Sequence, residues 1–223
     1  NRQLTALTTL SDLVAGAKEK IVEDGGSKEY AQAVGVYLAF AVDRTADFST
    51  SVSRWAVTNE KAMNLFSKQA IPMTWDYPEV NVLADSVGGI TTITEFIAKC
   101  IVTLPRVSKQ GFVMQHDAQT DNGMRNIMVS TDPPYYDNIG YADLSDFFYI
   151  WLRSNLKNEF PDLFRTMLVP KAEELIASAY RFDGSRERAY RFFEDGMLKT
   201  FTQINTYVRD DIPTTVYYAY KQS

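Results

Sequence analysis

The chain has 223 residues, 45% of them hydrophobic and 13% aromatic, and a formal charge of −5. That length supports one large core or two modest domains, and the apolar content excludes a disordered chain. A single cysteine, Cys100, excludes an intramolecular disulfide framework, and one cysteine with one histidine cannot complete a structural zinc tetrad, so no metal site is expected.

The first hundred residues read as helical. Leu4, Leu7, Leu10, Leu13, Val14, Ala17 and Ile21 mark one apolar stripe that ends at Gly25-Gly26. A second helix is expected from about Lys28 to Thr45, apolar nearly all round and therefore deeply buried. It contains the longest unbroken apolar run, Val36 to Val42, which is far too short to cross a bilayer. With no signal peptide visible, the expected location is a reducing cytoplasm. Residues 75–85 look irregular, broken by Pro72 and Pro78. A third helix keeps Ile93, Phe96, Ile97, Cys100, Ile101 and Leu104 on one face. Thr92 and Glu95 form a capping-box pattern at its start, and Pro105 closes it.

Beyond that proline the pattern changes. Phe112 to His116 reads as a short strand ending at Asp117, and Ile127 to Ser130 as a second, apolar enough to be covered on both faces of a parallel sheet. Helical patterns follow at about Leu144 to Leu156, Glu173 to Tyr180 and Glu187 to Val208. Thr214 to Tyr220, rich in β-branched and aromatic residues, reads as a further strand. The expected organisation is a helical region over 1–105 and an α/β part over 106–223.

The sequence Asp132-Pro133-Pro134-Tyr135 follows the second of those strands. Each proline fixes its own φ and pushes the residue before it towards extended backbone, so Asp132 and Pro133 are both restrained. Two fixed acceptors, the Asp132 carboxylate and the Pro133 carbonyl, suit the two hydrogens of an exocyclic amino group on a nucleobase. Holding both hydrogens localises a nitrogen lone pair that is otherwise delocalised into the ring. Tyr135 offers a flat face on which an extruded base can stack. The plain alternative is a proline-stiffened turn, since Asp-Pro is a common turn opener. In an open parallel sheet, however, ligands collect beyond the carboxyl ends of the strands, where both Asp117 and Asp132 are expected to fall.

Asp132-Pro133-Pro134-Tyr135 resembles the catalytic motif of amino-group DNA methyltransferases that use S-adenosylmethionine. The longer run from Thr131 through Ile139, with Tyr141 to Phe148 after it, is similar to the large bacterial and archaeal adenine-specific DNA methylases that carry a zinc-ribbon insertion. Tyr37 to Arg44 and Met73 to Asn81 also resemble that family, so the likeness covers most of the chain. It implies an α/β fold, a partial Rossmann-like methyltransferase sheet with a helical N-terminal region. It implies that Asp132 and Pro133 hold the target amino group, with Pro134 and Tyr135 completing the catalytic motif. Asp117 stands where such enzymes often place an acidic residue near the cofactor's adenosine. The implied partners are DNA and the remaining methyltransferase segments of a parent protein, with no membrane.

One departure matters. The family's glycine-rich cofactor loop has the form Phe-x-Gly-x-Gly, and no Gly-x-Gly occurs in this sequence. Gly88-Gly89 is not preceded by a plausible strand and belongs to a turn before a helix. The chain, which starts at Asn1, is therefore expected to be a piece of an enzyme that is inactive by itself. Its acidic charge repels DNA, so either a local basic patch or parts outside the chain must bind it. A non-catalytic module binding nucleic acid or protein, and an RNA adenine methyltransferase, are the alternatives.

The remaining candidates have plainer readings. His116 is the only histidine and lies away from any evident nucleophile, which favours a structural role. Arg181, Arg186, Arg188 and Arg191 form the densest basic cluster, but Glu187 with Arg191, and Arg191 with Asp195, are spaced for helix-surface ion pairs. Tyr136, Asp137 and Asn138 either shape a base pocket or cap the next helix. Trp75, Tyr77 and Trp151 are expected to be core or interface anchors.

Overall fold

The computed structural model describes residues 2–66, 68, 70–105, 109–137 and 139–218. Among them the chain is mixed and helix-rich, with five α-helices and two small two-stranded sheets. It divides into two compact units. The first joins residues 1–106 to 142–170, and the second joins 107–141 to 171–223. The segment 142–170 thus packs with the N-terminal helices, although it lies within the α/β part that the sequence pattern suggests.

In the first unit, helix α1 (Arg2–Glu23) and helix α2 (Lys28–Ala46) pack together as a hairpin. Gly25 turns the chain at φ +92°, a conformation that costs glycine little, and the Ser27 hydroxyl caps α2 by accepting the Tyr30 N–H at 3.1 Å. The helices approach closely at Gly35, where a Cβ would lie 2.6 Å from Cδ of Lys18. Leu7 and Val14 of α1 and Ala39, Ala41 and Val42 of α2 are buried at the core. The expected all-round burial of α2 is corrected: Tyr30, Tyr37 and Phe40 are exposed, so only one side of the helix meets neighbours.

A β-hairpin follows, β1 (Arg54–Ala56) antiparallel to β2 (Lys61–Met63), with Glu60 at positive φ in the reversal. Helix α3 (Ile90–Thr103) is capped by Gly89, without a side-chain hydrogen bond. The capping box expected at Thr92 is not formed; the Thr92 hydroxyl donates to Asp85 Oδ1 at 3.1 Å. Of its apolar stripe only Ile93 is buried, while Phe96, Ile101 and Leu104 are exposed. Helix α4 (Tyr141–Leu156), from Ala142 onward, belongs to this unit too. Asn155 donates to the Ser11 hydroxyl at 3.1 Å, Lys18 pairs with Glu159, and Phe66 lies against Phe147 and Phe148. The Tyr149 hydroxyl donating to the Thr166 carbonyl at 2.9 Å, and Val169 N–H donating to Asp146 at 2.9 Å, hold the segment after α4 against it.

The turn before α3 leaves no room for a side chain. A Cβ on Gly89 would stand 1.9 Å from the Ala84 carbonyl oxygen, a backbone atom fixed by the turn's own hydrogen bonds. Gly89→Ala is expected to destabilise the chain by about 1–3 kcal/mol, as overpacking does. Urea denaturation checks this, and an unchanged midpoint would contradict it.

The second unit is built on a parallel strand pair. β3 (Ser130–Thr131) pairs with β4 (Thr215–Val216), Ser130 opposite Thr215 and Thr131 opposite Val216. An isolated parallel bridge, Ile127 with Val208, continues the pairing upstream. Helix α5 (Arg186–Tyr207), capped by Ser185, buries Ala189, Phe193 and Ile204. Gly196 on α5 admits the Leu175 side chain, whose Cδ1 would lie 2.3 Å from an added Cβ.

Several expectations are corrected here. Ile127, Val129 and Thr131 are half-buried while Met128 and Ser130 are exposed, so the strand is covered on one face, not two. Residues 173–178 are not helical; a short 3-10 turn, Ala179–Phe182, takes the place of that helix. Of the strand expected over 214–220, Thr215–Val216 is formed, while Ala219 and Tyr220 lie outside the described residues. Phe112 to His116 forms no strand: among the described residues no strand pairs with its backbone, and Phe112 and Val113 are largely exposed. No helix among the described residues is long and apolar enough to cross a membrane.

Candidate functional site

Asp132 begins the loop that leaves β3, beyond the carboxyl end of a strand in a parallel pair. Its side chain is exposed, Pro133 is half-buried and Pro134 exposed. The two prolines restrict the loop's backbone, and it carries Tyr135 round to face the carboxylate. The Tyr135 hydroxyl donates to Asp132 Oδ1 at 2.8 Å. That hydrogen bond, ahead of burial and of the charge itself, holds the Tyr135 phenol above its ordinary pKa.

Tyr136 is the loop's anchor. Its carbonyl accepts the Ala177 N–H at 2.9 Å, and its own N–H donates to the Tyr218 hydroxyl at 3.3 Å. Its ring lies against Tyr190 and Phe193 of α5, with centroids 5.2 and 5.0 Å away. Burial is the main cause raising the Tyr136 phenol's pKa, followed by Glu194. Tyr218 also meets Tyr135 edge to face at 5.4 Å and 87°. The main chain of Tyr217 donates to the Thr131 carbonyl at 2.8 Å, so the end of β4 runs beside the start of the motif. Asp137 is exposed, and Asn138 lies outside the described residues.

Tyr218 is the residue beside the motif that sequence reasoning missed. The signal was present: two aromatics at the carboxyl end of a β-prone run, the position that drew attention to Asp132.

Asp117 is not at a strand end, since the strand before it does not form. It sits in an exposed turn, where Oδ1 accepts the Gln119 N–H at 2.9 Å, a local bond that assigns it to turn structure. His116, exposed beside it, has its Nε2 3.1 Å from the Thr120 hydroxyl. Three of the four clustered arginines are tied to carboxylates: Arg181 to Glu174, Arg188 to Asp183 and Arg191 to Glu187. Trp75 is 91% exposed and Tyr77 is exposed as well, so neither anchors the core; Trp151 is half-buried.

The sequence holds no Gly-x-Gly. The Gly88-Gly89 pair is packed against Phe48, Val80 and the Ala84 carbonyl, in the turn before α3. Among the described residues no group of three His, Cys, Asp or Glu side chains is placed to hold a metal ion. No family model matches the chain, and neither a curated protein nor a solved structure matches it.

Proposed function

We propose that this chain is the base-holding part of a DNA methyltransferase acting on the exocyclic amino group of adenine. The observation that carries the reading is the exposed Asp132 carboxylate, at the carboxyl end of a parallel strand, with the Tyr135 hydroxyl on its Oδ1. That bond and the two prolines restrict the carboxylate before any substrate arrives, the kind of preorganisation on which positioning catalysis depends. In this reading Oδ2 of Asp132 and the carbonyl of Pro133 accept the two amino hydrogens, and the nitrogen lone pair is turned away from the ring. The Tyr135 ring stacks on the base. S-adenosylmethionine would supply the methyl group, and its cradle is assigned to residues other than those described, completing the partial Rossmann-like sheet begun by β3 and β4. DNA would be gripped largely by those other residues, since three of the four arginines clustered near α5 are already paired.

The test is a transfer assay with the full-length protein, adenine-containing DNA and S-adenosylmethionine carrying a labelled methyl group. Label on the exocyclic nitrogen of adenine is the expected result. Label on cytosine, or none on either base, would overturn the reading.

A further inference from the structure

We infer that the Asp132 site takes an adenine that is already unpaired, in a single-stranded or looped-out stretch of nucleic acid, with Tyr218 as its second aromatic wall. The inference rests on the base-holding role assigned to Asp132 above.

Tyr135 and Tyr218 stand at that carboxylate. Tyr135 bonds to it, Tyr218 stands against Tyr135, and Tyr217 is aligned with Thr131, the residue before the motif. Tyr218 keeps 42% of its surface in water, and Tyr135 is half-buried. Partly exposed rings beside a fixed hydrogen-bond acceptor suit a flat partner that carries N–H donors, which describes an amino-bearing base. Every base has a π-face, so such a platform binds a flexible strand without needing its sequence.

A duplex asks for something else. Extruding a base costs a few kcal/mol of lost stacking and pairing, a cost that falls away when the base is already unpaired. Phosphate grip needs Lys and Arg side chains with charge to spare. Among the described residues of this unit Arg125, Arg181, Arg188, Arg191 and Arg209 each face a carboxylate while Arg186 and Lys199 stay exposed, and the motif itself adds exposed Asp132 and Asp137. Stacking surface is plentiful and cationic surface is not, a balance that favours a base with no partner to lose.

Tyr218 also acts through the loop. Its hydroxyl takes the Tyr136 N–H, and its ring steadies Tyr135, so one side chain both walls the site and fixes the motif's geometry.

The test is fluorescence anisotropy of the full-length protein with end-labelled oligonucleotides of one adenine-containing sequence, as single-stranded DNA, as single-stranded RNA and as DNA duplex. A single strand is expected to bind at least about tenfold more tightly than the duplex, and the tighter of the two single strands identifies the sugar. Binding should weaken far less than the roughly thousandfold that a phosphate-gripping protein loses between about 50 and about 200 mM salt. Tyr218→Leu, which keeps bulk without a π-face, should weaken single-strand binding by about tenfold, and Tyr218→Phe should restore most of it. With 2-aminopurine at the target position, quenching on binding should be strong in the wild type and reduced in Tyr218→Leu. Equal or tighter duplex binding with a steep salt dependence overturns the inference and leaves the methyl-transfer reading intact. So does a folded Tyr218→Leu variant that binds as the wild type does. Single-strand binding without methyl transfer overturns that reading alone.

Discussion

Replacing Asp132 by asparagine in the full-length protein is expected to lower methyl transfer to adenine by at least about a hundredfold, the usual loss when one preorganised polar group is removed from a reacting centre. An amide keeps the size of the carboxylate but loses its charge, and it offers one acceptor oxygen in place of two. In the wild type the Tyr135 hydroxyl occupies Oδ1, which in the proposed arrangement leaves Oδ2 for the base. In the variant, tyrosine and base compete for a single acceptor. The loss should fall on kcat more than on KM, because the amino hydrogens are held most strongly as the nitrogen becomes tetrahedral. Stability should change by less than about 0.5 kcal/mol, since Asp132 is exposed and supports no buried neighbour. Tyr135→Phe separates the two roles of the tyrosine: stacking persists, the bond to Oδ1 is lost, and activity should fall less than in the Asp132 variant. Transfer at the wild-type rate by a folded Asp132→Asn protein would rule out the role given to that carboxylate.

The second large effect concerns stability. Asp43, on α2, is pushed up to about 8 by burial and secondarily by the nearby Asp47. Its Oδ1 is buried without a hydrogen-bond partner among the described residues. Asp47 is also raised by burial, although Arg44 and the main chain at Leu65 and Phe66 oppose the shift. An unfolded aspartate titrates near 4, so between that value and 8 the folded chain holds a proton that the unfolded chain has released. The contribution of Asp43 is therefore fully present at acid pH and is lost as pH rises towards its folded value. Asp43→Asn should remove this slope and stabilise the protein at pH 8 by about 1–3 kcal/mol, with little change near pH 4. Asp47 reinforces the sign, because removing its charged neighbour makes its own ionisation easier. Urea denaturation of both proteins at about pH 5 and pH 8 decides it. Parallel pH slopes in the two proteins would show that Asp43 does not carry the effect.

The helices α1, α4 and α5 were legible because their apolar residues recur at helical spacing, and α2 because a long apolar run follows the Gly25-Gly26 break. The start of α3 was misread from a local pattern. Threonine and glutamate at capping-box spacing mean nothing when a glycine turn has already started the helix. The β1–β2 hairpin was missed since its strands are three residues long and it reverses through Glu60, not glycine. Strand formation at Phe112 to His116 depends on a hydrogen-bonding neighbour, which no local composition encodes. The motif loop was found through its prolines, whose effect on the backbone is local. Its aromatic wall was not, because Tyr218 reaches it from the far end of the chain. The burial of Asp43 was likewise invisible, as a charged residue at the edge of an apolar run reads as solvated.

The pairing of Ser130 with Thr215 has a consequence for how the molecule is made. On the ribosome, β3 emerges long before the segment that completes its ladder, and residues 142–170 are meanwhile claimed by the N-terminal helices. Parallel pairing across such a separation brings a loop-closure penalty before any contact repays it. The helical unit can consolidate first, whereas the unit bearing Asp132 must wait for β4 to leave the exit tunnel. Chaperone dependence, proteolytic sensitivity of nascent chains and the slowest refolding phase should all concentrate there.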